Sequence, residues 1–109
     1  MTKTGRINTD TTFYAVLCRI AGPNGSAYFA ERSAEDASSL DETIRDIRAG
    51  QIESVERVFA FNPVESVCTD VSDEIAAQIA GELDEEPRPD LRDFLEMHLG
   101  VGTALPAAA

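Results

Sequence analysis

Little in this chain is basic and little is reactive. Of its 109 residues one is lysine (Lys3), eight are arginine, one is histidine (His98) and two are cysteine (Cys18 and Cys68). The arginines are dispersed among acids and form no basic stripe, so the electrostatic footprint of direct DNA or RNA binding is missing. A lone histidine with no CxxC or HxxxH spacing nearby gives no zinc ligand set, and no metal is expected. There is no GxSxG elbow, and Gly22-Pro23-Asn24-Gly25 lacks both the GK[ST] ending and the strand-to-helix setting of a phosphate-binding loop. Two cysteines in a chain this long do not make a disulfide framework. Both fall in strand-like apolar runs, where a buried thiol acts as a small hydrophobe and its thiolate is disfavoured. A single bridge between neighbouring strands is the alternative, and it needs an oxidising compartment. No apolar run approaches bilayer length, and residues 1–8 hold no apolar signal region. The expectation is a cytoplasmic protein without catalytic residues or cofactor.

What the chain has in abundance is negative charge. It carries 20 acids, a formal net charge of −11 and a pI near 4.3. The excess is local: residues 63–109 hold eleven acids against two bases, Arg88 and Arg92, whereas residues 1–62 hold nine against seven. Such a surface repels nucleic acid and anionic membrane and attracts basic protein over a range set by salt. At 43% apolar and 27% charged the composition is that of a folded domain, and its length suits a single one.

Residues 1–10 are polar and aperiodic and read as a loose arm. Residues 11–20 are rich in β-branched and aromatic side chains, then meet four turn formers at 22–25, with a second short strand over 26–31. In the first strand Tyr14, Val16, Cys18 and Ile20 share one face, and Phe13, Ala15 and Leu17 the other. A strand apolar on both faces is central, or covers a surface that something else buries. A polar connection follows over 31–38. Ser39 and Glu42 then fit a capping box, with Leu40, Ile44 and Ile47 as the apolar stripe of a helix, Asp41 placed to pair with Arg45, and Gly50 as the stop. Residues 55–61 form a third strand with Val55, Phe59 and Phe61 on one face, with Arg57 among them, and Val58 and Ala60 on the other. Asn62 and Pro63 turn the chain into a fourth strand over 65–69. Ser72 is positioned to cap a helix striped by Val71, Ile75, Ile79 and Leu83 and ended by the acidic run 82–86. After a break at Pro87 and Pro89, Asp90 can cap a last helix with Leu91, Phe94, Leu95 and Leu99 inward, His98 half-packed beside them, and Gly100 as its stop.

The order ββαββαα predicts an α+β fold: a four-stranded, mainly antiparallel sheet with helices on one face, a single domain over 11–102 and a disordered tail over 103–109. Three stretches, Thr43 to Gln51, Val55 to Pro63 and Asp70 to Ala76, resemble small uncharacterised acidic proteins of alphaproteobacteria and their phages. The resemblance spans about half of the chain, its motifs are a helix stop, a strand and a helix start, and no functional residue carries over with it. Proteins of that size, charge and origin include anti-CRISPR and anti-restriction inhibitors, which implies by analogy a protein that blocks a nucleic-acid-binding complex.

The expected function is therefore a non-enzymatic one: binding and inhibition of a basic nucleic-acid-binding protein, in the manner of a DNA mimic. Glu74, Glu82, Asp84, Glu85, Glu86, Asp90, Asp93 and Glu96 are the candidate partner-binding residues. The alternative is a small regulatory or accessory subunit, a monomer or a weak homodimer through its sheet face, with charge serving solubility.

Overall fold

Side-chain alternation along two central strands organises the molecule. The computed structural model describes residues 11–20 and 25–100; the expected arm over 1–10 and tail over 103–109 lie outside them. Four strands, β1 (Phe13–Arg19), β2 (Ala27–Phe29), β3 (Val55–Asn62) and β4 (Val67–Asp70), form one antiparallel sheet in the order β2-β1-β3-β4. Between β2 and β3 come α1 (Ala34–Ala37) and α2 (Leu40–Ala49), and after β4 come α3 (Ser72–Glu82) and α4 (Pro89–Leu99). The fold is α+β, with the expected sequence of elements and one extra turn of helix. That turn, α1, lies in the stretch read as a plain polar connection, where the Ser33 hydroxyl accepts from the Asp36 N–H at 3.1 Å.

Val16 and Cys18 of β1 and Val58 of β3 point towards the helices and are fully buried against Ile44, Ile47, Ile75, Ile79, Phe94 and Leu95. The expected face of β3 needs correction at Val55. The β1–β3 register slips between Leu17 and Cys18, so Val55 is opposite Cys18 and Arg57 opposite Leu17. A bulge of this kind adds one residue, and it turns Val55 into the core while Phe59 and Phe61 face away from it. Ile20 also departs from expectation: β1 ends at Arg19, and Ile20 is exposed beyond it.

Helix ends explain further differences. Ser39 caps α2 as expected, accepting from the Glu42 N–H at 3.0 Å. The capping box is only half made, because the Ser39 N–H donates to the Asp36 carbonyl at 3.2 Å and the Glu42 carboxylate turns to Arg45. Gly50 closes the helix at φ 84° in the left-handed region. The ion pair on this helix joins Arg45 to Glu42, at 2.6 Å, rather than to Asp41. Ser72 is no cap. It is the first residue of α3, is buried, and its hydroxyl accepts from the Val58 N–H at 2.8 Å, while Asp70 accepts from the Ser72 N–H at 2.9 Å. The outward carboxylate thus serves the helix start, and the serine stitches α3 to β3.

Two arginines tie separate elements together. Arg32, with a side chain 6% exposed, donates to Thr43 Oγ1 (2.9 Å), to the carbonyls of Tyr14 (3.3 Å) and Asp36 (3.0 Å), and pairs with Asp46 at 3.5 Å. Arg88 donates to the Ile47 and Arg48 carbonyls at 2.7 and 2.8 Å, placing a cation at the carbonyl end of α2.

Candidate interaction surfaces

The eight acids expected to form one binding face are spread over α3, α4 and the loop between them, and half of them are spent inside the molecule. Glu82 ends α3 and lies 2.9 Å from Arg48 of α2. Glu86 meets Arg92 at 3.3 Å, and Glu96 meets the same guanidinium at 3.8 Å. Asp90 is not a helix cap; α4 begins one residue earlier, at Pro89. Its carboxylate accepts from the Ser54 N–H at 2.9 Å and lies 2.7 Å from Arg88 Nε. Burial opposes ionisation of Asp90, but the Ser54 N–H and the Arg88 charge outweigh it and hold the carboxyl below its usual range. Glu74, Asp84, Glu85 and Asp93 are exposed and enter no ion pair among the described residues. Asp84, Glu85 and Glu86 border an open cleft of about 590 Å³ whose other wall carries Arg45, Arg48 and Arg88. Its charge is mixed, unlike the single-sign line of a nucleic-acid backbone.

The opposite side of the sheet has another character. Strand neighbours on one face are the register partners, and these are Phe13 with Phe61, Ala15 with Phe59, Leu17 with Phe29, and Phe61 with Cys68. Phe13 and Phe61 have ring centroids 5.7 Å apart, and Phe29 meets Phe59 edge-on at 6.4 Å. Ala15, Phe29, Phe59, Phe61 and Cys68 line a shallow hollow of about 340 Å³. Its floor is low because Ala15 is small and its neighbours are aromatic. Phe29 is 58% exposed, and no helix packs over this face among the described residues. The charged side chains beside this cluster are Arg57 and Asp70, 2.8 Å apart, with Arg19 beyond Leu17 at the end of β1, 2.8 Å from Glu56. Alternation in β1 and β3 announces this face in the sequence; that the helices leave it bare does not follow from alternation.

Cys68 corrects an expectation. It lies on the exposed edge strand β4, facing away from the helices, whereas Cys18 is buried beneath them. The two thiols are on opposite sides of the sheet, both are free, and no bridge joins them. Burial pushes the Cys18 thiol up, against a smaller opposing effect of a Tyr28 hydrogen bond, so its reactive anion is disfavoured.

His98 is more deeply placed than the expected half-packed residue. Its side chain is 4% exposed and meets Phe94 edge-on at 4.8 Å. Nε2 lies 2.7 Å from the Glu56 carbonyl and Nδ1 3.2 Å from Asp73 Oδ1, so the ring ties α4 to β3 and α3. Both ring nitrogens are occupied by the protein itself. Among the described residues no three of His, Cys, Asp and Glu converge where a metal could sit, and no helix is long and apolar enough to cross a membrane.

No family model, curated protein or solved structure matches this chain.

Proposed function

We propose that the chain is a small, non-enzymatic protein-binding subunit that works in the cytoplasm through the bare face of its sheet. The observation that carries this reading is the cluster Phe13, Leu17, Phe29, Phe59, Phe61 and Cys68, apolar and uncovered among the described residues, on a domain that buries Val16, Cys18, Val55 and Val58 of its other sheet face under helices. Contiguous apolar surface ringed by polar residues marks contact sites on folded domains. Aromatic side chains in particular anchor protein interfaces. The reading is tested by affinity capture from cells that make the protein, comparing wild type, a Phe29→Ser/Phe61→Ser variant, and a Glu74→Lys/Asp84→Lys/Glu85→Lys/Asp93→Lys variant. Loss of association in the first variant with retention in the second is expected. The reverse pattern overturns it.

A second reading keeps the acidic side as the working surface, in an anti-CRISPR-like or DNA-mimicking inhibitor of phage type that docks on a basic nucleic-acid-binding protein. The net charge of −11 favours it, as do Glu74, Asp84, Glu85 and Asp93, the candidate acids outside internal ion pairs. On that reading reversal of those four slows association and flattens its salt dependence, because long-range attraction sets the encounter rate. Under either reading the protein itself leaves duplex DNA unshifted in a low-salt gel, since phosphate approach is repulsive.

A further inference from the structure

We infer that the occupant of the bare sheet face is a second copy of this chain, forming a weak two-fold dimer. The inference rests on the reading of that face as the contact surface and adds the identity of the partner.

Charge is partitioned by layer. Glu35, Asp36, Asp41, Glu42, Glu74, Glu82 and the acids of α4 are carried by the helices, while the sheet face brings Arg57 with Asp70 beside the aromatic cluster and Arg19, paired to Glu56, at its end. Helix-to-helix approach of two copies sets one net-acidic layer against another. Sheet-to-sheet approach places the helical layers outermost. Two sheets stack about 10 Å apart, and each helix layer stands a similar distance behind its own sheet. The acids of the two copies are then roughly 30 Å apart, several times the screening length of about 8 Å at physiological salt.

The charges on the face are self-complementary. A two-fold axis sets each surface patch against itself, so a patch needs one group of each sign to satisfy its copy. Arg57 and Asp70, 2.8 Å apart on neighbouring strands, meet that condition, and Arg57 can exchange its carboxylate for the partner subunit's Asp70. Shape follows the same rule. Phe29 stands at the rim of the hollow floored by Ala15, giving the face both a projecting ring and a recess.

Area sets the strength. Strand spacing of about 4.8 Å and a rise of about 3.3 Å per residue make the face roughly 400 Å² per copy, or about 800 Å² for the pair. Stable complexes bury about 1,200–2,000 Å², so this dimer belongs to the weak, reversible class. Glu31 and Glu65, exposed in segments at the margin of the sheet, add repulsion that salt removes.

Sedimentation equilibrium of the full chain from about 5 to 500 µM, at about 0.05 and 0.5 M salt, tests the inference. The expected result is a weight-average mass that climbs from 11.8 kDa towards twice that value, with association several-fold tighter at the higher salt. Cys68, exposed in the single chain and on this face, should lose reactivity towards a thiol reagent over the same concentration range. Phe29→Ser should remain at monomer mass throughout. Its position on a short edge strand leaves the fold intact, and the wild-type thiol readout needs no variant at all. A wild type at monomer mass with Cys68 equally reactive at every concentration overturns the dimer. So does a dimer in which Cys68 stays reactive and Phe29→Ser still associates, because it then uses another surface. If the wild type is monomeric and the double serine variant nevertheless loses its cellular partner, the second copy is refuted while the contact face stands. If that variant keeps its partner as well, both fail.

Discussion

The two faces of the sheet are built from the same chemistry and have opposite fates. On β1, Val16 and Cys18 are sealed under the helices, while Phe13, Ala15 and Leu17, one residue out of phase, are only partly buried. On β3, Val58 is sealed and Phe59 and Phe61 are not. One face therefore holds the fold together, and the other offers aromatic surface at little cost to it. The lesson is that hydrophobic alternation identifies which residues are neighbours, whereas the placement of the helices decides which neighbours become core.

The comparison breaks first at the phenylalanines. Phe94, fully buried between α4 and the sheet, should lose about 3–5 kcal/mol on truncation to alanine, through lost transfer energy and the cavity left behind. Phe29→Ala, on the bare face, should cost under about 1 kcal/mol. Urea unfolding of both variants checks the contrast, and equal losses would mean that the bare face is part of the core.

His98 comes next. Replacing it with alanine leaves the Glu56 carbonyl without its donor and opens space beside Phe94, a loss of about 2–3 kcal/mol. The same change should leave association through the sheet face untouched, since the ring lies on the helical side. Measuring unfolding and self-association on one preparation separates the two sides of the sheet.

Asp90 gives a smaller effect with a pH signature. Its folded-state pKa is depressed below the ordinary 3.8, so its contribution is present above about pH 4 and is lost as pH falls through the lower folded value. Asp90→Asn should therefore lose about 1 kcal/mol at neutral pH, and its stability should fall less steeply than the wild type's below about pH 4. Asp70, more exposed and paired with Arg57, is also held low: burial opposes ionisation, and the Ser72 and Arg57 hydrogen bonds outweigh it. Solvent screening makes its share of the acid transition smaller. Parallel acid titrations of the two asparagine variants rank them, and a larger effect at Asp70 would reverse the order.

How much was legible beforehand follows from the range of each interaction. The number and order of the main elements, the Ser39 cap, the Gly50 stop and the apolar faces of β1 depend on residues within a few positions of one another, so the sequence alone carries them. α1 was hidden because four residues carry almost no periodicity. The acidic candidates were visible as composition, but their internal pairing was not: Arg48 meets Glu82 across 34 residues, and Ser54 meets Asp90 across 36. The burial of His98 depends on Glu56, 42 positions away. Cys18 and Cys68 look alike as letters in apolar runs and differ because one strand is central and the other an edge. Local sequence thus determined the elements, the sign of the surface and the two-sided apolar character of the strands. Only the tertiary structure decided which side is covered, which carboxylates remain unpaired and which thiol meets solvent, because each depends on groups far apart in the chain meeting at contact distance.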